Sequence, residues 1–253
     1  MADGQAACRG KPVRRRAAVT LAGAVWLTLL LSASSPAADP AVPTLLPDMP
    51  MAERSRLTGL ATGASIAMRV EGEPFLARRE ILEYLLDHLP FTTQVIQALR
   101  IGRLHIWSTP EGLFLDEGWG TTGRLWVVYA AGGTRVIYTR GQHKMALLPS
   151  IRGEVLLILD YQYVPEAPGR DLVKTTVAGF LKLDNRVLSA ALKLGSPVAQ
   201  KSADREARGI VKLFAKVSRA VEADPAGVYA KLRDRPGVPR AELEEFRALL
   251  AIR

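Results

Sequence analysis

Apolar and polar positions alternate with two different periods along this chain. From Arg78 to Leu99, apolar residues fall at Ile81, Leu82, Leu85, Leu86 and Leu89, then at Val95, Ile96 and Leu99. Steps of three and four predict helix, and Pro90 predicts that it is split or kinked. Ahead of it, Ala64 to Val70 reads as a first strand. After it the period shortens. Leu104–Trp107 and Leu113–Leu115 flank the turn Thr109-Pro110-Glu111-Gly112. Leu125–Ala130 and Arg135–Thr139 flank Gly132-Gly133, a hairpin signal. His143 to Leu148 adds a short strand. Glu154–Tyr163 and Leu172–Phe180 form a last pair around Pro165 to Gly169. About six or seven consecutive strands with short turns predict an antiparallel meander.

Leu156 to Leu159 and Leu125 to Val128 are apolar on both faces of their strands. One face must meet a helix. The other needs a barrel interior, a ligand or more of a curled sheet. A long helix follows: Val187 to Leu194, an interruption at Gly195-Ser196-Pro197, then a stripe of Ile210, Leu213, Phe214, Val217 and Val221. Lys212, Lys216 and Arg219 fall on its other side. Asp224-Pro225 ends it. Two short helices are expected near 226–233 and 240–250.

The first residues change the picture. Arg9, Lys11 and Arg14-Arg15-Arg16 precede an uncharged run, Ala17 to Leu31, and the small residues Ser35-Pro36-Ala37. This is the pattern of an export signal cut after Ala37. The alternative is an uncut anchor at residues 17–33. The working protein is then exported, to a periplasm or beyond. Residues 38–63 begin with Pro40, Pro43, Pro47 and Pro50 and are expected to form an extended tether. A folded domain over 64–223 and a helical tail over 224–253 complete the organisation.

The formal charge of the 253 residues is +9, of which the export segment holds four, leaving about +5. No dense basic block marks a nucleic-acid binder, whereas an anionic membrane surface is compatible with this charge. The only cysteine, Cys8, lies in the export segment, so the rest of the chain has no disulfide or thiolate ligand. His88, His105 and His143 have no metal-ligand spacing. No metal or cofactor is implied.

A strand, paired helices, a meander and one long closing helix resemble the START-like superfamily of polyketide cyclases and lipid-transfer proteins. The stretch Glu80-Ile81-Leu82-Glu83-Tyr84-Leu85-Leu86-Asp87-His88-Leu89-Pro90 is similar to the family's first helix. Val177-Ala178-Gly179-Phe180-Leu181-Lys182-Leu183 fits the approach to its long helix. The resemblance implies an α+β helix-grip fold, an antiparallel sheet curled around the long C-terminal helix. It also implies an apolar cavity between the two for a hydrophobic small molecule or lipid. Cavity residues would include Leu157, Leu159, Thr175, Val177 and Phe214. The thirty or so residues after Val221 depart from many relatives.

Other candidates come from the residues alone. Trp119, in the glycine-rich turn Asp116 to Gly123, either caps the core or touches ligand. His105 sits on a strand and is a candidate pocket residue. Asp160 ends an apolar run and is the one weak candidate base, with Tyr161, Tyr163 or His105 as helper. Asp87-His88 is a helix-end pair whose side chains diverge. No serine lies in a nucleophile-elbow context. Three functions therefore stand: an exported binder of an apolar ligand, a cyclase- or hydrolase-like enzyme using Asp160, and an envelope interaction protein whose tail helices are the contact surface.

Overall fold

The structure, a computed structural model, describes residues 49–144, 150–193 and 197–252. Residues 39–253 form one compact unit. The expected export segment at 1–37, the proline-rich stretch up to residue 48 and Met145–Leu148 of the expected short strand lie outside the described residues.

The elements run α1 (Met51–Thr62), β1 (Ile66–Glu71), β2 (Phe75–Ala77), α2 (Arg79–Asp87), α3 (Leu89–Ala98), β3 (His105–Thr109) and β4 (Gly112–Asp116). They continue with β5 (Thr121–Ala131), β6 (Thr134–His143), β7 (Ile151–Ala167), β8 (Arg170–Leu183), α4 (Arg186–Lys193), α5 (Pro197–Ala223), α6 (Pro225–Arg233) and α7 (Arg240–Leu249). The sheet is antiparallel, in the order β1-β8-β7-β6-β5-β4-β3, with β2 also paired to β8. The long helix α5 lies on its inner face. This is the expected helix-grip arrangement. The eighth strand, β2, is three residues long, too short to carry a period.

Glycines let the sheet curl. Gly123, Gly141 and Gly153 lie side by side on β5, β6 and β7. A Cβ on Gly141 would sit 2.5 Å from the carbonyl oxygen of Thr122, closer than any side chain tolerates.

One expectation is corrected, and the correction answers a question left by the strands. Residues 51–62 form α1 rather than extended tether. The prolines end at Pro50, and Ala52, Glu53, Arg54, Arg56, Leu57, Leu60 and Ala61 are ordinary helix formers. Leu57, Leu60 and Ala61 pack with Met49 on the outer face of the sheet, against Leu156, Ile158, Val136 and Phe180. Leu159, one step along β7, faces inward among Leu82, Leu86, Val177 and Val211. Both faces of β7 are apolar because a helix covers each.

The tail is also part of the core. Val228 and Leu232 of α6, with Leu243 and Phe246 of α7, are buried beside Ile81, Leu85, Phe91, Val95 and Val217. The ring centroids of Phe91 and Phe246 are 5.2 Å apart. Asp224 caps α6 by accepting from the Gly227 amide at 2.8 Å. A separate contact module at 224–253 is therefore not what these helices form, because their apolar faces are spent on α2, α3 and α5.

Candidate functional site

The inner face of β7 and β8 meets α2 and α5 along an apolar seam. Phe75, Leu82, Leu86, Leu159, Tyr161, Val173, Thr175, Ile210, Val211 and Phe214 line a residual void of about 10 Å³ there. That is room for one water at most. The Thr175 hydroxyl is buried in this lining without a hydrogen-bond partner among the described residues. Phe75 also lines a second, open space of about 480 Å³ at the sheet edge, between β2, β8 and the last turns of α5. It is lined by Pro74, Phe75, Leu76, Leu172, Ala215 and Ala223 together with the charged Arg170, Arg219 and Glu222. Glu222 is held by Arg78 at 3.0 Å and Arg170 at 2.9 Å. Phe75 thus separates an open apolar cleft from a filled seam.

A polar cluster closes the other side of the seam. Glu83, on α2, accepts from the hydroxyls of Tyr161 and Tyr163, each at 2.9 Å, and from Arg135 Nη2 at 2.7 Å. The same Nη2 donates to Asp87 at 2.9 Å. Glu83 and Asp87 are four apart on one helical face, and Tyr161 and Tyr163 are two apart on one strand face. Arg135 is 6% exposed, and its Nε has no partner among the described groups. Burial first, then the bond to Glu83, pushes both tyrosine hydroxyls well above the usual tyrosine range. They therefore stay protonated donors, and Glu83 is saturated by them and by Arg135. This cluster fixes α2 on the sheet rather than supplying a free base. Arg135, between Thr134 and Val136 at the start of β6, carries no signal of this in the sequence, and only register places it inside.

The structure brings some expected site residues together. Leu159, Thr175 and Phe214 line the seam, Val177 is fully buried in the same cluster, and Leu157 packs against it half-buried. Trp119 and His105 stand apart. Trp119 is 71% exposed under the Arg103 guanidinium, 4.4 Å from its ring. His105 lies on the outer face of β3, its ring 4.9 Å from Trp107. Asp160 does not join Tyr161 or Tyr163, because strand alternation turns adjacent residues to opposite faces. It lines an outer-face groove of about 560 Å³ and accepts from the Thr134 hydroxyl at 2.8 Å. Asp87 pairs with Arg135, while the His88 ring stacks on Tyr84 at 4.0 Å, so the two form no acid–base pair. Among the described residues, no His, Cys, Asp and Glu group is placed to hold a metal, and no helix is long and apolar enough to cross a membrane.

Neither a family model nor a curated protein matches the chain. Solved structures similar to it include a START superfamily protein from Mycobacterium smegmatis, at 16% identity and a TM-score of 0.36, covering 62% of this chain and 97% of that one. Dicamba monooxygenase bound to dicamba is similar at 14% identity and a TM-score of 0.31, covering 74% of this chain and 60% of that one. The terminal oxygenase of carbazole 1,9a-dioxygenase from Novosphingobium sp. KA1 follows at 12% and 0.26, covering 74% and 57%. The helix-grip arrangement described above is read from the element order and sheet topology of the chain itself.

Proposed function

We propose that this chain is an exported binding protein that holds an apolar, lipid-like molecule between the sheet and the long helix. The observation that carries the reading is the open apolar cleft beside Phe75. Its volume of about 480 Å³ falls within the range of small-molecule sites, roughly 300–1,000 Å³. Six of its nine lining residues are apolar, and the other three are charged. The ligand lies along Leu76, Leu172 and Ala215 and reaches inward only as far as Phe75, because the seam behind is filled. Each buried CH2 contributes about 0.8 kcal/mol.

An enzymatic role through Asp160 has less support. Its carboxylate lines a different groove, hydrogen-bonded to Thr134. The test is a titration of residues 38–253 with a fluorescent fatty acid, beside an Ala215→Trp variant that fills the cleft. Saturable binding lost in the variant supports the reading. Binding unchanged by the filled cleft, or no binding at all, refutes it.

A further inference from the structure

Strand register gathers on the outer face a basic row that the linear sequence disperses. Phe114 of β4 lies opposite Arg124 of β5, and Arg124 lies opposite Arg140 of β6. Arg140 lies opposite Glu154 of β7, and Glu154 opposite Lys182 of β8. Arg152 falls on the same face, two positions from Glu154. Arg124, Arg140, Arg152 and Lys182 are all exposed, and none of the four makes an ion pair or side-chain hydrogen bond among the described residues. Acids share the face as well: Glu71 and Asp160 lie on β1 and β7 away from the row, and three stand near it. Asp116 accepts from the Gly118 amide, Glu154 accepts from the Tyr138 hydroxyl, and Asp184 follows the end of β8. At the β3–β4 edge the row meets aromatic rings, Trp107 and Phe114, with centroids 5.1 Å apart and both half-buried.

A second observation concerns the same face. α1 packs on it, covering Leu156, Ile158 and Phe180, and Arg56 of α1 lies 4.2 Å over the Tyr138 ring. The chain that precedes α1 therefore joins the folded unit on the face that carries the basic row. Upstream in the sequence stand the proline-rich stretch and the apolar run Ala17 to Leu31.

We infer that the uncovered part of the outer face, between α1 and β3, docks on an anionic phospholipid surface. Arg124, Arg140, Arg152 and Lys182 meet lipid phosphates, and Trp107 and Phe114 sit at the headgroup level, where aromatic rings are favoured. Neighbouring strands are about 5 Å apart, so the cations form a spread array suited to a plane of headgroups. The inference rests on the reading that the chain is exported to a membrane-bounded compartment, and not on occupancy of the cleft.

The test is co-sedimentation of residues 38–253 with vesicles of phosphatidylcholine containing about one-third phosphatidylglycerol, against pure phosphatidylcholine. Binding is expected only to the anionic vesicles, and it weakens as salt shortens the screening length. Arg124→Glu with Arg140→Glu should lower partitioning about tenfold or more. The matched reversal on the exposed side of α5, Lys212→Glu with Lys216→Glu, should change it little. A pair at Arg152→Glu and Lys182→Glu repeats the test should the first pair disturb folding. Equal losses from the α5 pair, no binding by the unmodified protein, or tighter binding of single-stranded DNA through the same residues would each overturn the inference.

Discussion

The Tyr161 hydroxyl donates to Glu83 Oε2 at 2.9 Å, joining β7 to α2 at the polar end of the seam. Tyr163 donates to the other oxygen of the same carboxylate. Both tyrosines are held in the protonated form, above their ordinary range near 10, by burial and by this carboxylate. Folded-state values raised in this way add stability that is complete below about pH 10 and is lost as pH rises beyond it. Melting temperature should therefore fall as pH rises above about 10. Tyr161→Phe with Tyr163→Phe should flatten that fall. An unchanged alkaline slope in the double variant would show that the cluster has no such role.

Arg135 supplies the cationic centre of the same cluster. Truncation to Ala leaves Glu83 without its charged partner at a largely buried contact. The expected loss is about 3 kcal/mol by urea unfolding, within the range for breaking a buried pair. Arg135→Met, which keeps the apolar volume, should cost less than Arg135→Ala.

Side chains of α3 satisfy backbone groups at the β3 edge of the sheet. Thr93 on α3 accepts from the Ile106 amide at 3.2 Å and lies 3.3 Å from the Ile106 carbonyl, with Gln97 donating to Leu104 beside it. Thr93→Val keeps the shape and leaves both backbone groups unpaired at a free edge. A loss of about 1–3 kcal/mol and faster aggregation on heating are expected. Light scattering during a thermal ramp reads the second effect.

Arg100 adopts φ 55° just past the C-cap of α3, a left-handed conformation that glycine adopts without cost. Arg100→Gly should raise stability by about 1 kcal/mol, measured as a higher urea midpoint at unchanged slope.

The tail helices carry core side chains. Phe246 is fully buried, and Phe246→Ala should cost about 3–5 kcal/mol. Deleting 224–253 should unfold the protein instead of releasing a partner-binding module. Cooperative unfolding of that truncation at an unchanged midpoint would contradict this.

Much of the architecture was legible because the signals were local. Pro90 marks the α2–α3 break, Gly132-Gly133 marks the β5–β6 hairpin, and Asp224-Pro225 starts α6. The stripe from Ile210 to Val221 marked α5 as a buried helix, but Val217 and Val221 pack on α2, α3, α6 and α7, and Ala207 and Val211 meet the sheet. What was not legible depended on partners distant in sequence. α1 followed four prolines and showed no strong apolar face, so its packing on Leu156 and Phe180 could not be read. Arg135 and Glu83 are 52 residues apart and meet only through register and helix packing. Asp160 suggested a base because it ends an apolar run, but the alternation of the strand sends it to the outer face, away from Tyr161. The seam residues Leu159, Thr175 and Phe214 were accessible from pattern and resemblance. The side chains that fill that seam, Phe75 above all, were not, since β2 carries no period.

The most direct test of the central claim is mass spectrometry of organic extracts from residues 38–253, purified without detergent from a native-like host. The account predicts a co-purifying apolar species at about one per protein, released by Ala215→Trp. A protein that emerges empty, and stays empty when offered fatty acids, would contradict it.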